Sequence, residues 1–204
     1  MEFWNDIAID RSYQILQELS KKVDFILIGG WAVYFFTKAI KSKDIDIIVD
    51  FENLSKIKSE LGIKKNVFLK KYESEVEGVS IDIYVPYYSE FAVPAEVIMK
   101  KTMVVENFKI PKPSSLLILK QQAEIQRNDS IKGQKDRVDI ISLAKSGKVN
   151  WKHYKELVEM YGLEEYARRL GKIVRSARIE FEYLGITDLR EIKKIKGKIL
   201  KEIA

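Results

Sequence analysis

Cysteine is absent from the 204-residue chain, and histidine occurs once, at His153. Without cysteine the chain forms no disulfide, zinc knuckle, iron–sulfur site or thiol nucleophile. A single histidine leaves little room for a Ser-His-Asp triad or a His-rich metal centre, and His153 is expected to have no catalytic role. Apolar runs are short, and none nears the ~18 residues of a membrane-spanning helix. The opening residues, Met1-Glu2-Phe3-Trp4-Asn5-Asp6, lack the basic and apolar stretches of a signal peptide. A cytoplasmic protein with no membrane partner is therefore expected. Any catalysis must run on carboxylates, lysines, hydroxyls and backbone amides.

Hydrophobic residues make up 46% of the chain and charged residues 32%, which suits a folded core and excludes wholesale disorder. At about 150 residues per domain the length holds one domain, or one with an appendage. Basic residues number 36 against 30 acidic, a formal +6, within the ordinary solubility range of about 2–8 in magnitude. The excess is uneven, because residues 151–204 carry 13 basic and 9 acidic side chains. Abundant lysine and isoleucine without cysteine suit a thermophilic prokaryote, and an AT-rich genome equally.

The residue pattern predicts a helix over 6–20, a buried strand over Val23–Ile28 ending at Gly29-Gly30, and a helix from Trp31 to about Ile40. A second strand follows at Ile45–Val49. Asn53 suits an N-cap for a helix through Leu61 that Gly62 closes. Further strands are expected at Val67–Tyr72, Val79–Val85 and Thr102–Val105. Pro111-Lys112-Pro113 marks a boundary. After it come helices near 114–127, 134–146, 151–160, 164–184 and 188–203. The expected domains are an α/β (α+β) mixed-sheet unit over 1–110 and a helical unit over 111–204.

Gly29-Gly30-Trp31 and Asp44-Ile45-Asp46-Ile47 carry the most chemistry. Side chains alternate along a strand, so Asp44 and Asp46 share one face while Ile45 and Ile47 point into the other. Two like charges on an apolar strand are costly unless compensated, and a divalent cation compensates them well. Mg²⁺ typically takes one or two carboxylates and completes its shell with water and phosphate oxygens. Asp82 sits between Ile81 and Ile83 on another predicted strand and can join them. Three carboxylates can hold two metal ions about 3.5–4 Å apart. A glycine turn running into a helix lets backbone N–H groups and a positive dipole end approach a phosphate. Taken singly, each feature is as well explained by a solvated strand end or an ordinary turn.

The ordered set of Gly29-Gly30-Trp31-Ala32-Val33, Lys43-Asp44-Ile45-Asp46 and Asp82 resembles the nucleotidyltransferase superfamily related to polymerase β. The local text is similar to lincosamide and aminoglycoside nucleotidyltransferases. Ile110-Pro111-Lys112-Pro113, Leu116-Leu117-Ile118-Leu119-Lys120 and Lys135-Asp136-Arg137-Val138-Asp139 resemble the nucleotidyltransferase toxins of abortive-infection systems. The resemblance spans roughly residues 20–146. It implies a mixed-sheet nucleotidyltransferase core followed by a helical region. It also implies that Gly29 and Gly30 bind the NTP triphosphate, that Asp44 and Asp46 take two Mg²⁺ ions, and that Asp82 completes the site. Many members have serine where Gly30 stands, so here only backbone contact is available.

Other residues keep two readings. Lys41 and Lys43 are either solvated or set against a pyrophosphate leaving group. Lys135 and Asp139, and Asp136 and Asp139, crowd one helix face. Lys120 and Lys135 either touch triphosphate or brace that face, and an exposed salt-bridged helix is the plainer reading of Asp136 and Asp139. Tyr84, Tyr87 and Tyr88 are core or surface residues, or stack on a base or sugar. Trp31 is expected in the core. Arg168, Lys172, Arg175 and Arg178 form a basic stripe suited to an acidic polymer, yet Glu164–Arg168, Glu165–Arg169 and Arg178–Glu182 have the spacing of an ordinary solvated helix. Ile192, Ile195, Ile199 and Ile203 make the last helix a docking helix for the core, a second copy or a partner protein. The expected activity is Mg²⁺-dependent transfer of an NMP from an NTP to an acceptor, which the sequence leaves open among a small molecule, RNA and protein. In that activity Asp82 serves as general base. The alternative is a non-catalytic nucleotide-binding or toxin–antitoxin module of the same fold.

Overall fold

The structure, a computed structural model, describes residues 5–127 and 130–204. Met1–Trp4, which carry most of the expectation about a leader, lie outside the described residues. The chain divides between Lys112 and Pro113 into two compact units.

The first unit contains α1 (Asp6–Lys22), β1 (Ile26–Ile28), α2 (Gly29–Thr37), β2 (Ile45–Ile48), α3 (Phe51–Leu61), β3 (Lys64–Asn66), β4 (Lys71–Val76), β5 (Val79–Tyr84), α4 (Ala95–Lys100), β6 (Thr102–Val105) and β7 (Phe108–Pro111). The strands form one mixed sheet in the order β3-β4-β5-β2-β1-β7-β6. β2 runs parallel to β5 and β1 parallel to β7, while the remaining neighbours are antiparallel. Along β5, Val79, Ile81 and Ile83 are buried, whereas Ser80, Asp82 and Tyr84 lie on the more open face. Ile45 and Ile47 of β2 are fully buried and pair with Ile81 and Ile83. That register places Asp46 beside Asp82. A one-residue slip of either strand would turn its acid into the core.

Helices seal the apolar side. α1 packs on β5, α2 on β1 and β2, and α3 on β4. Asn5 caps α1 by accepting a hydrogen bond from the Ile7 N–H at 2.8 Å. Trp31 of α2 is buried as expected, and its indole N–H donates to Ser12 Oγ of α1 at 2.9 Å. Phe35 stacks on Phe108 of β7 at 5.0 Å between ring centres.

Two local expectations change. Asp50, not Asn53, caps α3, its carboxylate accepting from the Asn53 N–H at 2.8 Å. Of the strand expected over Val67–Tyr72, residues 67–70 form instead a turn between β3 and β4, while Lys71 and Tyr72 open β4. Asn66 Oδ1 accepts from the Leu69 N–H at 3.0 Å, and Lys70 adopts a φ of 48°. That Asx turn overrides the strand propensity of Val67-Phe68-Leu69 and leaves Phe68 98% exposed. The strand expected at Thr102–Val105 forms as β6; α4 precedes it, and β6 and β7 are joined through Glu106 and Asn107 at positive φ.

The second unit comprises α5 (Pro113–Arg127), α6 (Ile131–Lys145), α7 (Trp151–Met160), α8 (Glu164–Ser176), α9 (Ile179–Tyr183) and α10 (Leu189–Ile203). Pro113 opens α5 at the one helical position where its missing N–H costs nothing. The single helix expected over 164–184 breaks at Ala177, so Arg178 falls outside α8 and the expected basic stripe is interrupted. The spacing set Arg169 against Glu165, and the structure gives it a further, buried partner. Arg169 forms a two-point contact with the fully buried Glu124 of α5, at 2.5 and 2.9 Å. Ile192 and Ile199 of α10 are buried, and that helix packs on α6, α7 and α8 of its own unit. Among the described residues no helix is long and apolar enough to cross a membrane.

Removing one partner of a buried pair strands the other charge, at a cost of about 3–5 kcal/mol. Arg169→Met is therefore expected to lower unfolding free energy by about 3 kcal/mol in urea denaturation, the low end because the arginine is partly solvated. Arg168→Met, whose partner Glu165 is exposed, should change it by less than about 1 kcal/mol.

Candidate active site

Asp46 and Asp82 stand at matched positions on adjacent parallel strands. Their Cα atoms are therefore about 4.8 Å apart, with both side chains on the same face. Asp44 lies in the bend before β2, partly buried, with Lys43 beside it. Among the described residues no three Asp, Glu, His or Cys side chains are grouped closely enough to hold a metal ion by themselves. The protein thus presents a pair of carboxylates in register, with the third expected acid on the approach to the strand.

Gly29 follows directly from β1, whose Ile28 pairs with Asp46. Its φ is +65°, and a Cβ built there would lie 2.0 Å from Asp46 Oδ2 and 2.6 Å from Cγ. The position requires glycine twice over, for its backbone conformation and because the Asp46 carboxylate fills the space a side chain would take. Gly30 is buried in the first turn of α2. No side chain caps α2, whose N-cap is Ile28. The Asp46 carboxylate therefore sits against the positive end of a helix, which offsets part of the cost of a charge flanked by isoleucines.

Asp82 is compensated differently. Lys71 Nζ lies 2.6 Å from Asp82 Oδ2 and 3.0 Å from Glu73 Oε1, with the lysine side chain only 11% exposed. Glu73 is the β4 residue opposite Asp82 and also accepts from Asn66 Nδ2 at 3.0 Å. Neither Lys71 nor Glu73 was expected from the sequence. Placing the strand at 67–72 took Glu73 out of it and hid the Lys71-x-Glu73 alternation, which shares the open face with Asp82. Burial pulls the Lys71 amine down, but its contacts with Asp82 and Glu73 outweigh this and hold it above the ordinary 10.5. The hydrogen bond from Lys71 holds Glu73 below its ordinary 4.5, against some desolvation.

In the helical unit, Lys120 Nζ lies 3.0 Å from Asp136 Oδ1 and 2.8 Å from Asp139 Oδ2, and Lys135 Nζ lies 3.1 Å from Asp139 Oδ2. All four residues are buried. The exposed salt-bridged helix reading of Asp136 and Asp139 is thereby corrected: α6 turns both acids inward to meet α5. The two lysines brace these carboxylates. Among the described residues, Asp136 Oδ2 and Asp139 Oδ1 find no hydrogen-bond donor although buried. Tyr87 projects into solvent at a φ of 62°. Tyr88 packs under Lys65, 4.5 Å from its ring centre, and its hydroxyl donates to the Asn66 carbonyl at 3.2 Å.

The pH dependence follows from the two shifted groups. A depressed glutamate stabilises above its ordinary value and loses this as pH falls through its folded value; a raised lysine stabilises below its ordinary value and loses this as pH rises. The Tm gap between wild type and Lys71→Met should therefore be widest from about pH 6 to pH 9, and should narrow towards about pH 3. A gap that stays constant down to that pH would show that Lys71 acts by packing alone.

No family model matches the chain, and no curated protein matches it. Among solved structures, the JHP933 protein of Helicobacter pylori is similar over 98% of this chain and 92% of its own, with TM-score 0.53 and 18% identity. An antigenic nucleotidyltransferase-like protein from Paracoccidioides brasiliensis is similar over 84% of this chain and 94% of its own, with TM-score 0.43 and 17% identity. The first likeness extends over both the sheet unit and the helical region, and it establishes a shared fold: a mixed α/β core followed by helices.

Proposed function

We propose that the chain is a Mg²⁺-dependent nucleotidyltransferase that moves a nucleoside monophosphate from an NTP to an acceptor and releases pyrophosphate. The observation that carries this reading is the pairing of Asp46 with Asp82 at the mouth of the Gly29 turn. A phosphate approaching the N-terminus of α2 meets the Asp46 carboxylate already there. Two anions at one helix end need a cation between them. The donor set fits Mg²⁺: hard carboxylate oxygens, few in number, leaving positions for phosphate oxygens and water. The Lys71 ammonium at Asp82 shows that this face accepts positive charge.

In this reading Asp46 and Asp82 hold the metal, with Asp44 at the entry to the strand as the third carboxylate. The bound ion supplies neutralisation of the charge that gathers on the transferring phosphoryl group. Gly29 and Gly30 let the backbone approach the triphosphate. Lys43, next to Asp44, faces the pyrophosphate side. Asp82 accepts the acceptor's proton when its own carboxylate is free to do so. Lys120 and Lys135 brace the α5–α6 pair through Asp136 and Asp139. The acceptor is a hydroxyl or similar nucleophile on a small molecule, RNA or protein.

Calorimetric titration of wild type with Mg²⁺ and a non-hydrolysable NTP analogue should show binding that Asp46→Asn and Asp82→Asn each weaken at least about tenfold. Incubation with each α-labelled NTP and either total RNA or a protein extract should label one class of acceptor in wild type and none in the Asn variants. Nucleotide binding that ignores both substitutions, with no transfer by wild type, would favour the non-catalytic binding module. Gly29→Ala should cost about 2–4 kcal/mol of unfolding free energy, because it combines backbone strain at positive φ with a clash against Asp46. It should also abolish analogue binding at a temperature where the variant is still folded.

A further inference from the structure

Asp82 is not waiting for a positive charge; it has one. Lys71 Nζ lies 2.6 Å from its Oδ2 atom. An ammonium at that distance competes with a divalent ion for the carboxylate, because the two cations repel at short range in a partly buried place. Glu73 gives the lysine somewhere to go. Glu73 stands opposite Asp82 across β4 and β5 and lies two residues from Lys71 on the same strand. It already touches the ammonium at 3.0 Å and is itself held by Asn66. The lysine stem is enclosed, so its head can shift between these two carboxylates without the chain moving.

We propose that Lys71 is a positioning residue that acts as the resident counter-ion of Asp82. It holds that carboxylate in line with Asp46 while no metal is bound, and it withdraws onto Glu73 when a divalent cation arrives. The charges balance when the ion is bound: the three carboxylates and the one ammonium leave two negative charges, which a divalent cation neutralises. Before binding, one ammonium is shared by Asp82 and Glu73. After binding, Lys71 and Glu73 form a neutral pair, and the two negative charges of Asp46 and Asp82 face the two positive charges of the ion. Lys71 therefore weakens metal binding by the nucleotide-free protein, so that metal is retained when a triphosphate brings its own oxygens. This inference rests on the metal-site reading above and specifies how the site is kept ready.

The test is titration of the nucleotide-free protein with Mn²⁺, read from the electron paramagnetic resonance signal of the free ion. An opposite charge at contact range alters a carboxylate's affinity for a cation by about ten- to a thousandfold. Lys71→Met should therefore bind Mn²⁺ at least about tenfold more tightly than wild type, and adding Asp82→Asn should remove that gain. Lys71→Arg, which keeps the charge, should stay as weak as wild type. Glu73→Gln, which removes the place of withdrawal, should bind more weakly than wild type. If Lys71 only supports the sheet, its removal will leave affinity unchanged or lower it, and that result overturns the proposal. Should Lys71→Met fail to fold, Glu73→Gln decides: affinity equal to or above wild type overturns it. Mn²⁺ binding that depends on Asp46 but ignores Lys71 defeats this proposal alone. No Asp46-dependent binding in any variant defeats the metal-site reading with it.

Discussion

The register between β2 and β5 is the constraint on which the candidate site depends. Ile45 and Ile47 are buried against Ile81 and Ile83, and burial of each such side chain contributes about 1.5–3 kcal/mol. The same alternation sets Asp46 beside Asp82 on the other face. The acids are thus aligned by the hydrophobic effect acting on their neighbours. Two like charges in adjacent register positions are unfavourable by themselves, and the isoleucines hold them there. Here the core supplies the energy and the acids supply the chemistry, and neither arrangement can change without the other.

The fold offsets that unfavourable pairing at each carboxylate separately. Asp46 rests against the backbone of Gly29 and the uncapped start of α2, so a helix dipole supports it. Asp82 leans on Lys71, which is shared with Glu73. These supports differ in kind. A dipole is fixed in the backbone and cannot move away, whereas a lysine head group can. The asymmetry makes Asp82 the adjustable member of the pair. It is also the acid assigned the proton-accepting role, and a role that changes during a reaction calls for a partner that can change. The helical unit treats its charges otherwise. Lys120, Lys135, Asp136 and Asp139 are buried together, and Arg169 meets Glu124 at two points. Such pairs do little for net stability against an apolar alternative, but breaking one is expensive.

Much of this was legible in the sequence, for physical reasons. The glycine turn, the alternation of Ile45-Asp46-Ile47 and the alternation of Ile81-Asp82-Ile83 are period-two signals that survive without any structure. The boundary near Pro111 to Pro113 follows from what proline does to a helix start. What was not legible depended on one local competition. Val67-Phe68-Leu69 has the composition of a strand, but Asn66 captures the Leu69 N–H and turns the chain. With the strand misplaced, Lys71 and Glu73 could not be set on the face of Asp82, and half of the site's electrostatics vanished from view. The inward turn of Asp136 and Asp139 was hidden for a different reason. A Lys-Asp-x-x-Asp helix reads the same whether its charged face meets water or another charged helix face, and only the packing of α5 against α6 decides.

The similarity to the Helicobacter pylori protein at 18% identity, over nearly the whole of both chains, is intelligible in the same terms. Most positions in this fold ask only for an apolar side chain of roughly suitable volume, a demand many residues meet. Very few ask for one residue type. Gly29 is one, because its φ and the Asp46 carboxylate both exclude a Cβ. Trp31 is more specific than its burial implies, since its N–H must reach Ser12. Lys71 is specific only in company: without Glu73 it would be a lysine locked to Asp82, and without Asp82 an ordinary ion pair on a strand. The smallest unit that distinguishes this sheet from any other mixed sheet is therefore not a single residue. It is the row of Asp46, Asp82 and Glu73 across three strands, with Lys71 between the last two and Gly29 at its end.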